Sequence, residues 1–391
     1  MDPMTIRNQR PPMQYRRFGR TGLDLSVITL GGMRYANGWG QPRDQPSAEM
    51  VEECRTMVRL GLDAGINLIE TAHGYGKSEH CYGIVLSEVP RDRYWLMTKG
   101  APQTADETKR MVEEQLKGLR TDHIDLYAWH GINTDGIRAT ACAKGGPVEA
   151  LHRLRDEGVI GHVGFSTHAP YGVIIDAMAT GLFSFVNLHY YYFFQRHRGA
   201  IDYAGEKDMG VFIISPNDKG GQLFNPSPEL RALCAPLTPI QFNARWCLKH
   251  PEIHTLSFGM TRPEHVAEMR GIFPASVPLS AEDLAIQLRL DQRIALDPVA
   301  AWEGHECRND PSTINIPEVL RFRRLWRCYG MEGFGKYRYN MLEAKGHWFP
   351  GTYASPEAVA QVDATRAPQG VDLKALLAET HAALHVPKAK P

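Results

Sequence analysis

The stretch Asn67-Leu-Ile-Glu-Thr-Ala-His-Gly-Tyr-Gly-Lys-Ser-Glu79 ends an apolar run in an acid, Glu70, and five residues later sets Tyr75 between two glycines. A short apolar run bounded by loop residues reads as a strand buried on both faces, as in a parallel sheet. Core packing gives no reason to end such a strand in a carboxylate and follow it with Gly-Tyr-Gly. Two later runs end in the same manner. Tyr94-Trp-Leu-Met-Thr-Lys99 stops at a lysine, and Ile124-Asp-Leu-Tyr-Ala-Trp-His130 stops at a histidine.

Working outward, apolar runs alternate with stretches of helical spacing along most of the chain. A short hairpin is expected over 13–25, turning at Gly19 to Gly22. The strand candidates are 27–31, 67–71, 94–99, 123–130, 161–166, 183–190, 210–216 and 255–259. Helical patterns are expected over 48–64, 78–86, 104–119, 148–157, 171–179, 239–249 and 263–272, with a long open loop over 131–146 and a polar segment after the sixth strand. Strict alternation calls for a parallel sheet. Eight units in about 250 residues predict a closed (β/α)8 TIM barrel spanning 13–275 rather than an open doubly wound sheet. No Gly-x-Gly-x-x-Gly opens any of the helices. Beyond 275 the composition shifts. Pro274 and Pro278 mark a linker, a helix is expected over 281–293, and a small, mostly helical C-terminal module is placed at 295–391.

The 391 residues carry 44 Lys plus Arg against 44 Asp plus Glu, a balance that speaks against a nucleic-acid or anionic-membrane partner. No apolar run approaches the roughly 20 residues of a membrane span. Met1-Asp-Pro-Met-Thr-Ile-Arg lacks a signal-peptide core. Seven cysteines at irregular spacing do not form a disulfide framework. A reduced cytoplasmic protein is expected.

Reduction of a carbonyl by hydride needs a proton donor at the developing alkoxide. Tyrosine, with a pKa near ~10, is too weak an acid at neutral pH unless an ammonium stands beside it. Tyr75 with Lys99 meets that need. Glu70 would hold the ammonium in place, and His130 would orient the substrate oxygen. The run His189-Tyr-Tyr-Tyr-Phe-Phe194 and Trp129 read either as an aromatic substrate pocket or as barrel packing. His73 and His168 stand at strand ends near the predicted site.

At these residues the chain resembles the aldo-keto reductase superfamily. Glu70-Thr-Ala72, Tyr75-Gly76 and Ser78-Glu79 follow its pattern, as do Lys99, His130, the opening Phe18-Gly-Arg-Thr-Gly22 and Val163-Gly-Phe-Ser166. The resemblance covers about 13–272. It implies that Tyr75 is the general acid/base, assisted by Lys99 and His130, and that NAD(P)H is bound in extended form without a Rossmann domain. Glu70 stands where aspartate is usual. Ser166 and Asn187 match the positions that hold the nicotinamide carboxamide. Ile214, before Ser215, falls where many members place an aromatic. Lys219-Gly220-Gly221 would let backbone approach the pyrophosphate. Gly259, Thr261, Arg262 and His265 resemble the adenosine-end segment, and an arginine there favours NADPH over NADH.

The C-terminal module resembles the ferredoxin-like module of one branch of that superfamily. Cluster spacing puts ligands at Ala301, Gly304, Cys307 and Asp310, and again at Glu357, Ala360, Asp363 and Ala367. One thiolate in eight cannot hold iron–sulfur clusters that need four each, so none is expected. The module is expected to serve packing, barrel capping or a subunit contact. The expected function is interconversion of carbonyl and alcohol on a small polar or sugar-like molecule. Two alternatives stand beside it: a cofactor-retaining, epimerase-like oxidation and re-reduction, and a catalytically impaired binding or regulatory subunit.

Overall fold

Strands buried on both faces satisfy their backbone groups only by pairing with one another, and same-direction pairing requires a crossover between successive strands. The computed structural model describes residues 6–35, 42–297, 299–300, 302, 310–342 and 349–387. It begins with an antiparallel pair, β1 (Tyr15–Arg17) and β2 (Asp24–Ser26). Then come β3 (Ile28–Gly31), α1 (Ala48–Asp63), β4 (Leu68–Glu70), α2 (Ser78–Leu86), β5 (Trp95–Gly100), α3 (Ala105–Leu119) and β6 (Ile124–His130). Helices α4 (Asp135–Ala141) and α5 (Pro147–Asp156) lead to β7 (Ile160–Ser166), α6 (Tyr171–Ala179), β8 (Phe185–Leu188) and α7 (Arg198–Glu206). The last units are β9 (Gly210–Ile214), α8 (Pro228–Cys234), α9 (Pro239–Leu248), β10 (Thr255–Gly259) and α10 (Pro263–Arg270). Strands β3 to β10 close into a parallel barrel, β10 pairing with both β3 and β9.

The expected eight-unit barrel is therefore the observed fold, with local differences, among them α8 in a stretch expected as a loop. The segment 131–146, expected as a loop, contains α4, which begins where the Thr134 side chain accepts the Ile137 amide. The polar stretch after the sixth barrel strand contains α7, whose Ala200, Ile201 and Ala204 are buried.

Two apolar layers hold the barrel. Inside it, Leu68, Met97, Leu126, Phe185 and Phe212 pack with Phe18 and Leu25 from the β1–β2 hairpin, which closes the amino end. Outside, the strands pack against the helices in one continuous core. Each fully buried aliphatic or aromatic side chain contributes roughly 1.5–3 kcal/mol.

The register matters most for function, because it lines the carboxyl-end residues up around the mouth. Gly31 pairs with Glu70, Lys99 with Ala128, and His130 with Ser166. Ser166 pairs in turn with Asn187, Ile214 with Ser257, and Gly259 with Gly31.

After the barrel, α11 (Ala281–Ala295) packs along α8 and α9. Helices α12 (Ile316–Tyr329), α13 (Glu332–Met341), α14 (Pro356–Ala360) and α15 (Leu373–Leu384) follow. Residues of α12, α13 and α15 share a second apolar core, including Ile316, Val319, Phe322, Tyr339, Leu373 and Leu377. The far turns of α12 place Leu325, Cys328 and Tyr329 in the barrel's own core. Among the described residues no helix is long and apolar enough to cross a membrane.

Candidate active site

Glu70, Lys99 and His130 end three successive strands, and Tyr75 folds back from the loop after the first of them. The structure brings all four together. The Tyr75 hydroxyl donates to Glu70 Oε1 at 3.4 Å, and the Lys99 ammonium donates to the same oxygen. Lys99 also donates to the Thr71 carbonyl at 2.8 Å and lies 4.8 Å from the centroid of the Tyr75 ring. The His130 ring meets the Tyr75 ring edge-on at 5.7 Å. Glu70 and Lys99 are almost wholly buried, at 3% and 1% exposure.

The sequence reading assigns Lys99 the lowering of the Tyr75 pKa, and here the electrostatics run the other way. Burial, and then the neighbouring Glu70 charge and hydrogen bond, push the phenol well above its ordinary value. Burial pushes the Lys99 ammonium down, with Glu70 opposing. Burial is the first cause for both groups, and the Glu70 carboxylate comes second. Glu70 reaches far enough for one oxygen to take both donors, so a carboxylate mediates between tyrosine and lysine.

Its other oxygen, Oε2, accepts from Ser257 Oγ on β10 at 3.2 Å. Gly31 makes room for this reach: a Cβ there would stand 2.8 Å from Ser257 Oγ and 3.2 Å from Glu70 Oε2. Behind the site, the buried Glu79 accepts from Thr98, Gln115 and Arg43 at 2.6–2.7 Å, and burial raises its pKa.

A cavity of about 110 Å³ opens on this cluster, lined by Glu70, Tyr75, Ile214, Ser215, Ser257, Gly259 and, from α13, Tyr337 and Arg338. A larger open cleft of about 810 Å³ lies among residues that precede β5 and β6, such as Tyr94, Arg120 and Asp122, at the opposite end of the barrel. Barrel chemistry is built at carboxyl ends, so the smaller cavity is the relevant one.

The predicted cofactor positions fall along one side of the mouth. Asn187 is fully buried, and its Oδ1 has no hydrogen-bond partner among the described residues. Ser166 Oγ accepts the Gly131 amide at 3.1 Å. Ser215 holds a positive φ of 51° beside Ile214, and Gly221 has φ 71°. The Lys219 side chain lies outside the described residues. Arg262 and His265 contact each other at 3.2 Å, the Thr261 amide donates to His265 at 3.2 Å, and Phe224 stacks on the His265 ring at 4.3 Å. Thus the loop after β9 and the segment after β10 meet.

A model of the aldo/keto reductase family matches residues 27–290. The chain belongs to that family. A 6-dehydroglucose reductase of Novosphingobium aromaticivorans is 32% identical over 136 residues, 30% of this chain and 42% of that protein, so the match spans less than half of the relative. L-galactose dehydrogenase of Arabidopsis thaliana is 26% identical over 56% of this chain and 72% of its own. Among solved structures, the holo form of an aldo-keto reductase from Bacillus halodurans superposes with a TM-score of 0.58 at 23% identity, covering 71% of this chain and 96% of its own. An aldo-keto reductase of Klebsiella pneumoniae in complex with NADPH gives 0.57 at 22% identity, covering 71% and 95%.

Not every expected site residue of this aldo/keto reductase reaches the mouth. The aromatic run 190–194 is packing: its side chains are no more than 2% exposed, against Phe242, Trp246 and Tyr329. Trp129 is buried and donates to the Pro102 carbonyl at 3.2 Å. His73 turns to Arg43 and Glu114, and His168 pairs with His189 at 2.7 Å. Of the expected cluster positions, Ala301, Gly304 and Cys307 lie outside the described residues. Asp310 caps its own turn by accepting the Ser312 amide at 2.9 Å. Asp363 accepts from Thr365, and the rest of the second motif offers no thiol, so these residues do not fit an iron–sulfur cluster.

Sequence reasoning missed Ser257, Asp218, Tyr337 and Arg338. Asp218, on the loop after β9, accepts from Arg321 of α12 at 2.8 Å, and Arg321 also pairs with Glu318. Local patterns hold no trace of pairings across such chain separations.

Proposed function

We propose that this aldo/keto reductase interconverts a carbonyl and an alcohol on a small polar or sugar-like substrate with NADP(H), Tyr75 moving the proton. The observation that carries the reading is the convergence of Tyr75, Glu70 and Lys99 through one carboxylate oxygen, with His130 against the tyrosine ring. In the reducing direction the phenol, kept protonated at neutral pH by burial and Glu70, donates to the substrate oxygen. Lys99 balances the Glu70 charge, and His130 orients the oxygen.

The residues fit a nicotinamide. The unpartnered Asn187 Oδ1 suits the carboxamide NH2, and the Ser166 O–H suits its carbonyl. Bound there, the nicotinamide would supply or accept the hydride. Arg262 and His265 would meet the 2′-phosphate, which favours NADPH. The Klebsiella neighbour bound to NADPH supports this choice, and the relatives named for 6-dehydroglucose, L-galactose and D-arabinose support a sugar-like substrate.

The region from 295 onward is read as a ferredoxin-like scaffold without clusters. In two-cluster ferredoxins the fourth ligand of the first motif serves the other cluster. In keeping with this, Asp310 accepts the Asp363 amide at 3.4 Å.

The test is a fluorescence titration of purified protein with NADPH and NADH, followed by a carbonyl screen read at the nicotinamide absorbance band. Saturable binding with NADPH the tighter ligand is expected. If neither nucleotide binds, the reading fails.

A further inference from the structure

Arg338 of α13 is 1% exposed and lines the cavity that also holds Tyr75 and Glu70. A guanidinium carries five N–H donors and no acceptor, so burial normally demands a carboxylate or several carbonyls. Arg338 has neither. Nη1 points at Met341 Sδ at 3.5 Å, the group lies 5.2 Å from the Phe349 ring centroid, and Nε and Nη2 have no hydrogen-bond partner among the described residues.

The two unpartnered atoms are a matched pair. Nε–H and Nη2–H run parallel along one edge of the guanidinium, at the spacing of the two oxygens of a carboxylate. The nearby acids are already engaged: Asp218 by Arg321, and Glu318 by Arg321 and Arg196. Burial pushes the Arg338 pKa below its ordinary value, with the charge of Arg321 adding to the fall and those of Glu318 and Asp218 opposing it.

We propose that Arg338 binds the carboxylate of the substrate, so that this site acts on acidic carbonyl or hydroxy compounds, sugar acids and hydroxy acids among them. The proposal rests on the reductase reading for the chemistry at Tyr75, but not for the anion site itself. A pyrophosphate oxygen pair of the dinucleotide offers similar chemistry. The cavity is lined both by the reacting residues Tyr75 and Glu70 and by the cofactor positions Ser215 and Gly259, so the arms of the experiment separate the two sources.

The experiment compares wild type, Arg338→Lys and Arg338→Gln on a panel of uronates and hydroxy acids and their neutral counterparts. Binding is measured calorimetrically with and without NADP+, and turnover where it occurs. Wild type should prefer acids, and both variants should lower the acid-to-neutral ratio at least about tenfold, lysine included, because it lacks the fork. The thermal midpoint of Arg338→Gln without ligand should stay level or rise, since only the weak Met341 and Phe349 contacts are lost; a clear fall marks a purely structural arginine and overturns the proposal. Equal affinity of wild type for acids and neutral counterparts also overturns it. So does a loss of NADP+ or inorganic pyrophosphate affinity matching the loss for acids. Failure of wild type to bind nucleotide would instead remove the reductase reading, and acid binding measured without nucleotide would still decide the role of Arg338.

Discussion

Tyr75 and Lys99 donate to the same oxygen of Glu70, Oε1, so the phenol and the ammonium communicate through a carboxylate.

Tyr75→Phe removes the proton donor while leaving the ring against His130. Loss of the general acid should cost about 10²–10⁴-fold in kcat. Nucleotide affinity should stay within about twofold, as the hydroxyl faces Glu70. Turnover near wild type in a steady-state assay would reject Tyr75 as the acid.

The pH profile tests the carboxylate's influence. The Glu70 charge and hydrogen bond add to burial in raising the Tyr75 pKa, so the phenol stays protonated, and reduction active, well into alkaline pH. Removing that charge with Glu70→Gln lowers the Tyr75 pKa. The alkaline limb of reduction should then fall at lower pH than in wild type. A limb that is unmoved, or displaced upward, would contradict the electrostatic assignment.

Gly31 and Glu70 should be coupled. The Cβ of Gly31→Ala would crowd Ser257 Oγ and Glu70 Oε2. The substitution should therefore slow turnover strongly beside glutamate and much less beside Glu70→Asp, which vacates that space. A double-mutant cycle should give an interaction on the order of 1 kcal/mol or more. Additive effects would show that the glycine serves only backbone packing.

Arg321 neutralises two buried acids, Asp218 and Glu318, from opposite sides. Breaking a buried ion pair by removing one partner costs roughly 3–5 kcal/mol. Arg321→Leu should lower unfolding free energy by that amount in urea titration. A change under about 1 kcal/mol would mean that the network contributes little.

The barrel was legible because parallel strands buried on both faces leave unbroken apolar runs, and because a catalytic residue at a strand's end interrupts such a run visibly. Glu70, Lys99 and His130 announced themselves that way. Ser257 did not: its bond to Glu70 spans 187 residues of chain and is made by the closing of the barrel. Arg338 was illegible for a related reason, since an arginine in a charged helix looks solvated until the fold brings it beside the mouth. The aromatic run 189–194 was ambiguous in sequence because its partners, Trp246 and Tyr329 among them, come from other helices.

The C-terminal helices have a consequence for anyone wishing to shorten the protein to its barrel. Tyr192 and Phe193 rest on Tyr329, Arg324 donates to the Phe193 carbonyl at 3.2 Å, and Asp218 relies on Arg321. A chain cut after α11 would uncover an aromatic shelf and deprive Asp218, in the loop after β9, of its Arg321 partner. Such a fragment would adhere to itself, and its insolubility would say nothing about whether the barrel can fold.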